Sequence, residues 1–218
     1  MDKPKSIVAG LPLIIITLLT SCSVITIDRH SYVQGYCEFG DVLNLELTGD
    51  NGVGVRFIKE RSATIESTGE DKQWFDSLCE KNNDIYWSDN QRIGLKGQYV
   101  FLPQCLTPDI VELAVFADVD LDQSHPAGTS LADWVEVMFE SDFEYVQSRY
   151  TKDNTCISKH KLLSSVTEDD LRMLEIKEYP IRIAFVKRPN EPMPPFTLTV
   201  KCLDASGRII SGSVEYSF

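Results

Sequence analysis

From residue 37 onward the chain is patterned in short runs of alternating apolar and polar residues broken by turn residues, the period-2 signature of strands. Val42, Leu43, Leu45 and Leu47 form one run, Thr48-Gly49-Asp50-Asn51-Gly52 a turn, and residues 53–58 the return arm of a hairpin. Further strands are expected over 98–102, 111–119 and 181–186. Near the C-terminus Phe196, Leu198, Val200 and Cys202 alternate with Thr197, Thr199, Lys201 and Leu203. Asp204-Ala205-Ser206-Gly207 then turns the chain into residues 208–218, which completes a terminal hairpin.

Helical periods are few. Trp74, Phe75, Leu78 and Cys79 mark a helix over 70–81, and Thr167 with Asp170 resembles a capping box opening a helix over 168–174. Residues 129–150 satisfy both periods: Leu131, Trp134, Val135 and Met138 fall at helical spacing, while Val135, Val137 and Phe139 share one strand face. The β preference of valine and phenylalanine favours a strand over 134–139, followed by a short helix over 142–149 that Asp142 would cap. The proline-rich stretch 188–195 reads as a stiff connection that cannot extend a sheet ladder. Internal repeats and composition breaks are absent. The expected fold is mainly β: one domain over 37–218, an Ig-like or related two-sheet β-sandwich with a few short helices.

The N-terminus follows a different pattern. Lys3 and Lys5 precede a charge-free apolar segment of signal-peptide length, which ends in Leu19-Thr20-Ser21-Cys22. This resembles the leader and lipobox of bacterial lipoproteins. The resemblance implies a signal peptide over 1–21, cleavage before Cys22, acylation of that cysteine with diacylglycerol, and a tether over 22–36. Two or three acyl chains hold a protein on a bilayer almost irreversibly, since each buried methylene contributes about 0.8 kcal/mol. Ser23, where an Asp would retain such proteins at the inner membrane, implies the outer membrane. A competing reading is an uncleaved spanning helix from Ser6 to Ile27, long enough to cross a bilayer although interrupted by Gly10 and Pro12. The body resembles small β-rich lipoproteins of the Gram-negative envelope, a likeness that brings no catalytic residues with it.

Charge and cysteine count narrow the partners. With 21 Lys and Arg against 33 Asp and Glu the net charge is −12, so the chain has no electrostatic footprint for nucleic acid. Acylation of Cys22 leaves Cys37, Cys79, Cys105, Cys156 and Cys202, an odd number in a compartment where disulfides persist. The expected pairs are Cys79 with Cys105 and Cys156 with Cys202; buried free thiols are the alternative for each. The CxxC spacing of zinc ribbons and thioredoxin-like sites does not occur.

Candidate chemistry is sparse. The three histidines are His30, His125 and His160, and no nucleophile elbow, HExxH motif, phosphate loop or dinucleotide fingerprint accompanies them. His125 is the one candidate base. Asp118, Asp120 and Asp122 form a D-x-D-x-D run, which suggests calcium, yet Gln123 and Thr129 break the EF-hand pattern. Glu136, Glu140, Asp142 and Glu144 offer paired carboxylates for glycoside hydrolysis. Trp87 and Trp134 would stack on sugar rings if exposed, core burial being the alternative. The leading expectation is a non-enzymatic envelope lipoprotein without a cofactor, binding an envelope protein or glycan; the alternatives are a glycan-binding module and a hydrolase acting on glycan or peptide.

Overall fold

A computed structural model describes residues 31–49, 51–85, 103–151, 157–189 and 191–218. Cys22 and the leader, Trp87, Cys156 and the strand expected over 98–102 lie outside the described residues. Among those described are nine strands: β1 (Gly35–Thr48), β2 (Gly52–Thr64), β3 (Gln104–Thr107), β4 (Ile110–Ala117), β5 (Val135–Ser141), β6 (Ile157–Leu162), β7 (Ile181–Phe185), β8 (Phe196–Asp204) and β9 (Ile209–Tyr216). Three short helices accompany them, α1 (Gly69–Lys81), α2 (Phe143–Gln147) and α3 (Glu168–Leu171).

The chain is mainly β, as its alternation requires, and among the described residues the strands join in one mixed sheet. Their order is β4-β8-β9-β1-β2-β7-β5-β6, with β3 parallel to β1 off that path, and the sheet curls into a half-barrel. The curl has a local cause in β1. Register shifts on either side of Phe39 bend this strand, and Asp41 and Val42 are exposed at the bend. A single parallel bridge, Val42 to Ser211, then links β1 to β9. Gly212 permits that approach: a Cβ there would collide with the Leu43 carbonyl oxygen and stand 2.9 Å from the Leu43 Cβ. Leu43, Leu45 and Val55 from one half of the sheet and Val115, Leu198 and Ile210 from the other thus share one apolar core.

Both hairpins form where the alternation places them, Thr48 pairing with Gly52 and Leu203 with Ile209. The ambiguous segment resolves to strand, β5, followed by α2. Asp142, however, does not cap α2 with its side chain; Ser141 Oγ accepts the Phe143 N–H at 3.3 Å, and the Asp142 carboxyl is fully buried. The capping box of Thr167 and Asp170 is present, yet α3 ends at Leu171 because Met173 takes a positive φ and Leu174 bridges Ser141.

Strands β3 and β6 escaped the pattern. The first has four residues and joins β1 in parallel without a hairpin turn. The second carries Lys159 inward, an exception to apolar-in alternation made tolerable by Asp170 and Glu144, whose carboxylates accept from Nζ at 2.8 and 3.0 Å. Part of the segment expected as a tether over 22–36 is packed against the domain. Tyr32 and Val33 are buried and Gly35 and Tyr36 belong to β1, so ordered packing begins by residue 31.

Candidate functional site

Where the described chain begins, a second core lies apart from the first. Phe75, Leu78 and Cys79 reach it from α1 and Tyr145 and Val146 from α2, joined by Cys105 of β3, Tyr32, Tyr36, Tyr150 and Met173. The hydrophobic face of α1 is the one its helical spacing marks; Trp74 stays partly buried beneath the Arg61 guanidinium, 4.4 Å from its ring centre. What distinguishes this core is polarity. Three tyrosines pack edge-on or tilted, Tyr32 to Tyr145 at 4.8 Å and Tyr145 to Tyr150 at 5.6 Å, around two thiols and two buried carboxyls.

Asp84 fastens the incoming chain. Its Oδ1 accepts the Tyr32 N–H at 2.8 Å and the Tyr150 hydroxyl at 2.5 Å, and its Oδ2 accepts the Val33 N–H at 2.9 Å. Burial raises its pKa, and those three donors oppose the shift by favouring the ionised form. Two backbone bonds extend the fastening: Gln34 N–H donates to the Pro103 carbonyl at 2.9 Å and Ile65 N–H to the Gln34 carbonyl at 3.0 Å. Asn82 Nδ2 donates to the Tyr36 hydroxyl at 3.1 Å from the same turn. A cleft of about 160 Å³ opens beside Asp84, between Ser31, Ile65 and the Lys72, Asp76 and Glu80 row of α1.

The thiols do not bridge. Cys79 and Cys105 are both free and buried in this second core, and Cys202, expected to pair with Cys156, is free in the main core; Cys37 is likewise a buried thiol. Burial pushes Cys79 and Cys202 each up to about 12 and Cys105 well above its ordinary value, so none is a nucleophile at neutral pH.

The sequence candidates are dispersed. Asp118 Oδ1 accepts the Thr197 N–H at 2.7 Å, Asp120 Oδ1 the Ala127 N–H at 2.7 Å, and Asp122 Oδ1 the N–H groups of Ser124 and His125. Strand β4 ends at Ala117, so alternation no longer aligns the three carboxylates; each instead ties down its own piece of loop. Among the described residues no three His, Cys, Asp or Glu side chains are placed to hold a metal ion.

His125 lies between Asp122, 2.8 Å from Nδ1, and Asp133, 2.9 Å from Nε2, and its ring rests 5.3 Å from that of Trp134. Both nitrogens are thus engaged by carboxylates. Trp134 is 3% exposed and offers no ring face to a sugar. Glu136 pairs with His160 at 2.6 Å, Glu140 with Lys177, and Glu144 with Lys159, while Asp142 turns inward, so the four carboxyls part company. Comparison with protein-family models, curated proteins and solved structures gives no match in any of the three.

The fastening by Asp84 was not legible in the sequence. Asn82-Asn83-Asp84 reads as an ordinary turn after a helix, and the one local signal is that Asn83 takes a positive φ, as asparagine tolerates.

Proposed function

We propose that this chain is a lipid-anchored protein of the bacterial outer membrane, acylated at Cys22, whose domain has a non-enzymatic binding or structural role in the cell envelope. The observation that carries the reading is the lipobox-like Leu19-Thr20-Ser21-Cys22 closing an apolar leader. The fold supports it at the point where an anchor would pull. Residues 32 and 33 are held to Asp84 by two backbone N–H donors, so a load on the tether meets fixed packing immediately.

The nine Cα steps from Cys22 to Ser31 span at most about 30 Å when extended, so an anchor at Cys22 would hold the domain close to the bilayer. In this reading the two halves of the curled sheet act as the layers of a sandwich-related body. The engagement of both His125 nitrogens favours a structural over a catalytic part for that histidine.

Metabolic labelling with palmitate in a Gram-negative host tests the anchor. Label is expected on the wild type and not on Cys22→Ala, with the wild type in the outer-membrane fraction. An unlabelled wild type that stays with the membranes would instead favour the spanning helix from Ser6 to Ile27. Label persisting on Cys22→Ala would remove Cys22 from the reading.

A further inference from the structure

We infer that Asp142 is a proton-operated latch on the second core, which is closed while its carboxyl is neutral and opens, with the sheet still folded, when that carboxyl ionises. The backbone leaves it little freedom. Its N–H donates to the Met173 carbonyl at 3.2 Å and its carbonyl accepts the Val146 N–H at 3.0 Å, which fixes the residue between β5 and α2. The side chain is 0% exposed. Oδ2 faces the Cys105 thiol at 3.8 Å, a weak donor, and Oδ1 has no hydrogen-bond partner among the described residues.

The titratable groups facing it come from several elements, Tyr145 of α2 among them, and the charges acting on it most are negative. Glu175 approaches from the segment after α3, paired with β3 through the Cys105–Glu175 bridge, and Asp84 approaches from the turn after α1. Asp109 acts on Cys105 from the start of β4, and Tyr32 contributes a hydroxyl from the entering segment. The nearby cations have carboxylates of their own: Lys177 pairs with Glu140 and with Glu175, and Arg172 with Asp109 and Asp169 while lying over the Phe143 ring.

A buried carboxylate without a cation keeps its proton rather than its charge. Burial pushes Asp142 up to about 8, the charge of Glu175 adds to the shift, and the Cys105 thiol and Tyr32 hydroxyl oppose it. In the opened core the carboxyl would return to its ordinary value of about 4. The closed form then binds one proton more than the open form between those limits. Its stability is greatest at the acid end and falls as pH rises, the opening equilibrium growing about tenfold for each pH unit until the buried carboxyl itself ionises.

The test is amide hydrogen exchange on the full chain in detergent micelles, read as protection factors so that the base-catalysed intrinsic rate divides out. Between pH 6 and 8, protection over residues 31–36 and 143–150 is expected to fall about fiftyfold further in the wild type than in Asp142→Asn, with β8 and β9 unchanged. Equal falls in the two proteins would overturn the latch, as would strands β8 and β9 falling in step with the second core. Glu175→Gln leaves the carboxyl in place and removes one repelling charge, so the pH range of the fall should shorten from its upper end. An unchanged range would likewise count against the inference. The latch does not rest on acylation of Cys22, and palmitate labelling fails or succeeds separately from it.

Discussion

The two cores of this protein solve burial in opposite ways. The main core is a sheet closed over aliphatic and aromatic side chains such as Val55, Phe139, Ile183 and Leu198, each placed by alternation on a strand. The second gathers tyrosines, thiols, Asp84 and Asp142 from α1, α2, loops, the four-residue β3 and the start of β1, and it coheres through directed hydrogen bonds as much as through apolar contact. Apolar burial is non-directional and tolerates neighbours changing. A polar core depends on each donor finding its acceptor, so a single proton or a single deleted acceptor is enough to disturb it.

Phe139→Ala presses that contrast hardest. The ring is 3% exposed in the middle of β5, and truncating a buried phenylalanine costs about 3–5 kcal/mol through lost transfer energy and the cavity left behind. Because the main core joins both halves of the sheet, the loss should appear in global urea unfolding of the full chain, with all spectroscopic probes moving together. A loss below about 1 kcal/mol would mean that the sheet repacks freely and that the main core is the softer one.

Asp84→Ala is expected to come next, at about 2–4 kcal/mol. It removes the acceptor that the Tyr32 and Val33 N–H groups and the Tyr150 hydroxyl share, and losing the acceptor of a buried donor costs about 1–3 kcal/mol, less where water can enter from the adjoining cleft. Here the damage should be local. Protease sensitivity should rise around residues 31–36 while the β8–β9 hairpin keeps its hydrogen-exchange protection. Asp84→Asn, which keeps one acceptor oxygen, should lose less; if Asn and Ala variants are equally stable to urea, the fastening contributes nothing.

The contrast also explains what could be read in advance. Leu43 and Leu45, Val135 and Val137, and Phe196 through Cys202 announce strands because one face of each is buried and the other wet. The sheet's closure was not legible, since it depends on register shifts beside Phe39 and on Gly212, one glycine among twelve, admitting the Leu43 carbonyl. Nor was β6, whose Lys159 is buried only because Asp170 and Glu144 await it from elsewhere in the chain. The second core was the least legible part. Its members, Tyr32, Asp84, Cys105, Asp142 and Tyr150, are far apart in sequence and share no spacing, so only the fold brings them together. The sequence predicts Asp142 as a helix cap, because an aspartate before a helix usually is one, and nothing in it signals burial of the carboxyl.

The smallest effect is expected at the edge of the main core, where His125 provides the polar counterpart to Asp84. The ring is 13% exposed, and Asp122 and Asp133, which hold its two nitrogens, are about half exposed. The Asp122 hydrogen bond is the main cause that raises the histidine above its ordinary value, with Asp133 adding to it, whereas Asp133 is itself lowered chiefly by Lys187. Since the folded protein holds the imidazolium more tightly than the unfolded chain, the contribution is fully present below the ordinary histidine range and is lost as pH rises through the raised folded value. Solvent screening keeps it small. The difference in melting temperature between wild type and His125→Gln should therefore be largest near pH 6 and shrink by pH 9, with the Asp142 contribution common to both proteins cancelling. A difference that grows with pH would show that the neutral ring, packed against Trp134, stabilises this loop, and the contrast between a charge-sensitive second core and a charge-indifferent main core would then extend to its rim.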